Sequence, residues 1–143
     1  MTNNSSTVCV DASIVLRHIL RPDDEPVKKL WLSWISQQYR LISPTLLHYE
    51  VTNGLYQQQK YGLLSPETIR DSLELALSLP INLVGEVGLH QRAREIATQY
   101  KLPATYDAHY LALAEGMGIE LWTADARLVN TLKPYKLNWV KGI

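Results

Sequence analysis

The chain holds one cysteine, Cys9, in 143 residues. A lone cysteine closes no internal disulfide and supplies no cysteine-based zinc site. It lies in the apolar run Val8-Cys9-Val10, where it reads as a small buried residue. No stretch of about 18 apolar residues occurs, so no membrane span is expected. The opening Met1 to Thr7 is polar and lacks the basic and apolar regions of a secretory signal. These absences together lead to the expectation of a cytoplasmic protein. Excess charge is also missing, with 14 basic residues against 14 acidic ones. That balance argues mildly against a general nucleic-acid binder, which is usually basic. It stays compatible with a polyanionic substrate if four acids are sequestered around a metal, because the remainder then carries 14 − 10 = +4. Gly-x-Ser-x-Gly, P-loop and Gly-x-Gly-x-x-Gly patterns are absent, which removes support for a hydrolase elbow or a nucleotide cradle. None of His18, His48, His90 and His109 forms the i, i+4 pair of a helical zinc site, and each reads as a surface or core residue.

What is present is an alternation of short apolar runs and longer helical periods. Strands are predicted at about 7–11, 40–43, 81–85, 119–123 and 137–141. Helices are predicted at 12–20, from Asp24 through about 38, from Pro44 to about 60, from Ser65-Pro66-Glu67 onward, and at 88–100, 105–116 and 125–132. Strands that alternate with helices give an α/β fold with a parallel sheet of about five strands between helices, a three-layer α/β/α domain. We expect a polar leader at 1–6 and one domain over 7–143. Ligands in such sheets bind beyond the carboxyl ends of the strands, where strand order reverses.

Four acids stand inside apolar segments: Asp11, Glu50, Asp107 and Asp125. A buried carboxylate must be paired, protonated or bound to a metal. Asp11 and Asp125 fall at the ends of predicted strands one and four, and meet if those strands are neighbours. No Lys or Arg stands close enough in sequence to pair all four, so a hard divalent cation is the natural counter-ion. A plainer reading stays open for Asp11, Asp107 and Asp125, since each stands where a helix begins and Asp is a favoured N-cap. Glu50 lies on the apolar side of its helix and fits that reading poorly. Ser13, Asn53 and Thr123 accompany the acids, either to steady carboxylates and metal-bound waters or as ordinary turn and cap residues.

In this order the segments resemble the PIN domain, and more specifically the toxin ribonucleases of VapBC-type toxin–antitoxin pairs. Val8-Cys9-Val10-Asp11-Ala12-Ser13 is similar to the first motif. Ser43-Pro44 through Glu50-Val51-Thr52-Asn53-Gly54-Leu55 is similar to the second. Tyr106-Asp107-Ala108-His109-Tyr110-Leu111-Ala112-Leu113-Ala114 and Leu121-Trp122-Thr123-Ala124-Asp125-Ala126-Arg127-Leu128 are similar to the third and fourth. The resemblance implies adjacent first and fourth strands, and Mg²⁺ or Mn²⁺ held by Asp11, Glu50, Asp107 and Asp125. It also implies hydrolysis of RNA, a homodimer and a small antitoxin partner.

On this reading Asp11 and Asp125 are direct ligands, and Glu50 and Asp107 act through water or a second ion. Arg17, Arg21 and Arg127 are candidates for contact with the RNA backbone. Leu30, Trp31 and Trp34 read as core, with a partner groove as the alternative if a Trp is exposed. Two rivals remain: a non-catalytic interaction module whose acids are caps, and a phosphatase or phosphoacceptor domain. The second lacks the expected Asp-x-Asp, since Ala12 and Ser13 follow Asp11, and leaves Glu50 without a task.

Overall fold

A computed structural model describes residues 6–143; the rest of the predicted leader lies outside the described residues. The elements run β1 (Thr7–Val10), α1 (Ala12–Leu20), α2 (Glu25–Ser36), β2 (Arg40–Pro44), α3 (Leu46–Lys60) and α4 (Pro66–Leu77). They continue with β3 (Ile81–Val84), α5 (Gly88–Gln99), α6 (Tyr106–Met117), β4 (Glu120–Thr123), α7 (Ala126–Leu132) and β5 (Val140–Gly142). Local signals start and stop them. The Asp24 carboxylate accepts from Val27 N at the start of α2, and Ser65 Oγ accepts from Thr68 N at the start of α4. Gly118 ends α6 at φ 66°, the left-handed backbone that only glycine adopts without strain.

All five strands are parallel, in the order β3-β2-β1-β4-β5. The predicted adjacency of strands one and four is present: Cys9 pairs with Leu121, and Asp11 N donates to Trp122 O at 3.0 Å just beyond β1. Strand order reverses at β1, with β2 on one side and β4 on the other. Helices cover both faces, giving the three-layer α/β/α architecture. Helix α6 lies across β1, β2 and β4 and packs on α5. Its Ala108, Tyr110, Leu111, Ala112, Leu113 and Ala114 are all buried, as befits a helix that is apolar nearly all round. Trp31 and Trp34 are buried, so the core reading of that α2 face holds.

Two packing details bring the site together. Gly54 of α3 faces Leu16 of α1, where a Cβ would lie 2.5 Å from Leu16 Cδ1. The missing side chain lets the helix carrying Glu50 close on the one that follows Asp11. Ser43 Oγ donates to Val10 O at 2.5 Å, tying β2 to the end of β1.

The observed boundaries correct three expectations. Pro44 ends β2 instead of starting α3. The next amide, Thr45 N, donates to Val84 O, so the proline nitrogen falls on the β1 side, where pairing has already ended at Ile42. The missing N–H therefore removes no ladder bond. The last strand begins at Val140, not at 137, because a 3₁₀ turn at Lys133–Tyr135 and a left-handed Lys136 (φ 54°) occupy the preceding chain. Helix α2 stops at Ser36, short of the expected 38.

The fold predicts unequal costs for two leucines. Leu47, fully buried at the start of α3, should lose about 2–5 kcal/mol of unfolding free energy on replacement by Ala. Leu32, which is 56% exposed on α2, should stay within about 0.5 kcal/mol of wild type. Urea denaturation of Leu47→Ala and Leu32→Ala measures both, and equal losses would contradict this placement of the core.

Candidate active site

All four acids named from the sequence line one cavity of about 520 Å³ beyond the carboxyl ends of β1 and β4. Ser13 and Asn53 line it with them, as do Tyr49 and Tyr106. Asp11 enters from the turn after β1, Glu50 from the middle of α3, Asp107 from the first turn of α6 and Asp125 from the turn after β4.

Asp11 is the most deeply placed, at 5% exposure. One of its oxygens, Oδ2, accepts from Ser13 N (3.4 Å), Ser13 Oγ (2.5 Å) and Thr123 Oγ1 (2.9 Å). The two hydroxyls are themselves fixed, since Ala124 N donates to Ser13 Oγ (2.8 Å) and Asp125 N donates to Thr123 Oγ1 (3.0 Å). None of these bonds uses Asp11 Oδ1. Asp125 repeats the division: Oδ1 accepts from Arg127 N (3.0 Å) and Leu128 N (3.4 Å), capping α7 and leaving Oδ2 out of these bonds. Capping and ligand roles are thus compatible at Asp11 and Asp125, one oxygen for each. Asp107 is different. The cap position of α6 is Thr105, and the Asp107 carboxylate caps nothing. The N-cap alternative is therefore excluded for Asp107.

The electrostatics are those of uncompensated negative charge. Burial raises the Asp11 pKa and the Asp125 charge adds to the effect, against the lowering by the Ser13 and Thr123 hydrogen bonds. Glu50 is pushed up to about 7, by burial first and then by the charges of Asp11 and Asp107. Asp107 is pushed up to about 6 by burial and the charges of Asp11 and Asp125, with Arg127 acting the other way. The cation paired with this group among the described residues is Arg127, 3.9 Å from Asp125 with its side chain 94% exposed, a weak partner. Neither Arg17 nor Arg21 lines the cavity, and no lining residue is Lys or Arg.

Below the acids lies a residue that the sequence reading missed. Tyr110 is wholly buried, and among the described residues its hydroxyl has no partner in good hydrogen-bond geometry. It lies close enough to Glu50 to offset part of the rise in the Glu50 pKa. Tyr110 stands three residues after Asp107 on the same side of α6, and that spacing was the available signal. Asn53 is exposed at the rim and accepts from Gln57 Nε2 at 3.5 Å. His109 turns away from the acids, as its helical spacing from Asp107 predicts, and lines a neighbouring cavity.

The donor set suits a hard divalent cation. It offers carboxylate oxygens only, two of them spared from the cap bonds, with excess negative charge and an orphaned phenol beneath. Among the described residues no three His, Cys, Asp or Glu side chains form a ready cage for a bare ion. An ion bound here would therefore have to keep part of its water shell, as Mg²⁺ can. Glu50 takes its place beside the three aspartates, which the phosphatase and phosphoacceptor readings did not provide.

The fold and the cavity define a class: α/β/α proteins with a four-carboxylate site at the switch point of a parallel sheet. A family model described as the PIN domain matches residues 8–133, and the chain belongs to that family. Ribonuclease VapC9 of Mycobacterium tuberculosis is 33% identical over 124 residues, covering 87% of this chain and 90% of that protein. The crystal structure of VapBC2 from Rickettsia felis, bound to a DNA fragment from its promoter, aligns with TM-score 0.68 at 14% identity, over 96% of this chain and 98% of that one. A toxin–antitoxin complex from Klebsiella pneumoniae aligns with TM-score 0.63 at 20% identity, over 93% and 94%.

The raised pKa values set a pH dependence of stability. Without metal, the folded protein holds protons on Glu50 and Asp107 that the unfolded chain releases near its ordinary values of 4.5 and 3.8. Their contribution is full below those values and is lost as pH rises through about 6 and 7. In a chelating buffer the melting temperature should therefore fall between pH 5 and pH 8, and Glu50→Gln should flatten that fall. Thermal melts across this range check it; a Glu50→Gln profile parallel to wild type would contradict the assigned burial.

Proposed function

We propose that this chain is a metal-dependent endoribonuclease, the toxin of a toxin–antitoxin pair, with Mg²⁺ or Mn²⁺ held by Asp11, Glu50, Asp107 and Asp125. The observation that carries the reading is the convergence of four carboxylates in one cavity whose lining includes no Lys or Arg. The ribonuclease name of the mycobacterial relative and the toxin–antitoxin complexes among similar structures support RNA as substrate and an antitoxin as partner. A homodimer and a cytoplasmic setting belong to the same reading; among the described residues no helix is long and apolar enough to cross a membrane.

When bound, the divalent ion supplies charge neutralisation at the phosphoryl oxygens and acidifies the attacking water. The chain's own groups do the rest. Asp11 and Asp125 would hold the ion, each having one oxygen left out of its cap bonds. Ser13 and Thr123 lock the Asp11 rotamer, so the carboxylate needs no reorganisation when charge develops. Glu50, half-buried in the middle of α3, orients the attacking water and accepts its proton. Asp107 would help to hold that water, or a second ion if one binds. Water attacks in place of the ribose 2′-hydroxyl, so the products carry 5′-phosphate and 3′-hydroxyl ends.

The test is incubation of purified protein with single-stranded RNA, with and without Mg²⁺ or Mn²⁺. Cleavage is expected only with metal, and Asp11→Asn should reduce it by on the order of 10²-fold or more. A 2′,3′-cyclic phosphate product, or cleavage unaffected by the substitution, would reject the mechanism. Thr123→Val should retain the ligands but raise the Mg²⁺ concentration needed for half-maximal activity by about 10–100-fold. An unchanged Mg²⁺ titration would show that Thr123 does not steady Asp11.

A further inference from the structure

Two more cavities flank the acid cavity, and they share walls with it. One, of about 400 Å³, opens between the end of β2, the loop after β3 and the start of α6; it shares Leu46, Tyr49 and Tyr106 with the acid cavity. The other, beside α3, is lined by His48, Thr52 and Tyr56 and shares Tyr49 and Asn53 with it. Tyr49 lines all three cavities and is 75% exposed, immediately before Glu50 in α3. Tyr106 is 59% exposed, immediately before Asp107. Each of these acids is thus preceded by an exposed aromatic ring at the cavity mouth.

The charges decide what such a surface can hold. No Lys or Arg lines any of the three cavities. Phosphate groups away from the metal would find no cation here, and the acids would repel them. A ligand must draw its affinity from flat, uncharged parts, and the exposed rings provide faces for them. One fixed polar group adds discrimination. His109 Nδ1 lies 2.7 Å from Thr105 O, a carbonyl that only accepts, so that nitrogen carries the proton. With both rings neutral, His109 Nε2 is the acceptor for His90 Nδ1 at 3.0 Å, which leaves His90 Nε2 as a lone-pair acceptor on a residue of the apolar cavity wall.

We propose that Tyr49 is a nucleobase-stacking platform, over which an unpaired RNA strand passes with one base in the apolar cavity and the next beside His48 and Tyr56. The proposal deepens the nuclease reading and rests on it for placing the intervening phosphate at the acids. Stacking requires bases free of a duplex, so the site takes single-stranded segments or loops. The His90 acceptor favours a base with an N–H donor on its edge.

The experiment measures affinity by fluorescence anisotropy in Ca²⁺. The probes are a short single-stranded RNA and an abasic chain of the same length, and the proteins are wild type, Tyr49→Ala, Tyr49→Leu, Tyr49→Phe and Tyr49→Trp. Tyr49→Ala and Tyr49→Leu should weaken RNA binding about 5- to 150-fold, the loss of one stacked base. Binding of the abasic chain should not change, and Phe and Trp should preserve RNA affinity. No RNA affinity in wild type, an equal loss on both probes, or no loss in Tyr49→Ala would overturn the proposal; the last is the result expected if this surface serves a protein partner instead. Divalent-dependent hydrolysis by wild type judges the nuclease reading separately. Hydrolysis with an indifferent Tyr49 removes only the platform, and base-dependent binding without hydrolysis removes only the nuclease.

Discussion

Three donors converge on one oxygen of Asp11, and the arrangement of the site follows from that convergence. Ser13 N and Oγ come from the first turn of α1 and Thr123 Oγ1 from the end of β4, so the contact joins the two strands on either side of the cavity floor. A carboxylate taken out of water costs several kcal/mol unless its lone pairs are satisfied. Here one oxygen is satisfied by the scaffold and the other is not. The residue is anchored and unsaturated at once, the condition a ligand to an exchangeable ion must meet.

The acids are crowded, yet the chain tolerates them without a buried cation. Helix starts supply part of the explanation. Asp11 caps α1, Asp125 caps α7 and Asp107 stands in the first turn of α6, where the ends of the helix dipoles favour negative charge. Glu50 lacks that help, sitting inside α3, and it shows the higher of the two values that Glu50 and Asp107 are driven to. The nearby Tyr110 hydroxyl offsets only part of that rise. The strain is concentrated at one carboxylate, the one best suited to exchange a proton near neutral pH.

Much of this was legible in the sequence, for identifiable reasons. Asp11 and Asp125 close apolar strand runs, and a parallel α/β sheet sends ligands to those ends. Glu50 stood out because an acid on the apolar side of a helix has few other uses. Asp107 was ambiguous, because an acid at a helix start looks like a cap until the helix is seen to begin one residue earlier, at Tyr106. Pro44 reads as a helix start on local preference; its place in β2 depends on where β1 stops pairing, which no local pattern records. The exposure of Tyr49 and Tyr106 was hidden for a similar reason. Aromatic residues default to the core, and only the assembled cavity walls show these two facing out.

The bond between Asp11 and Thr123 spans 112 positions of sequence. Strand β4, the last but one of the described strands, is the neighbour of β1. The floor of the acid cavity therefore cannot assemble until β4 has been made. A chain still emerging from the ribosome carries Asp11, Glu50 and even Asp107, but not the strand that fixes Asp11 or the acid that follows it. Forms that stop short of β4 lack Thr123 and Asp125. On the function proposed above, activity against RNA then begins only after β4 and Asp125 have been made, and the topology itself delays it.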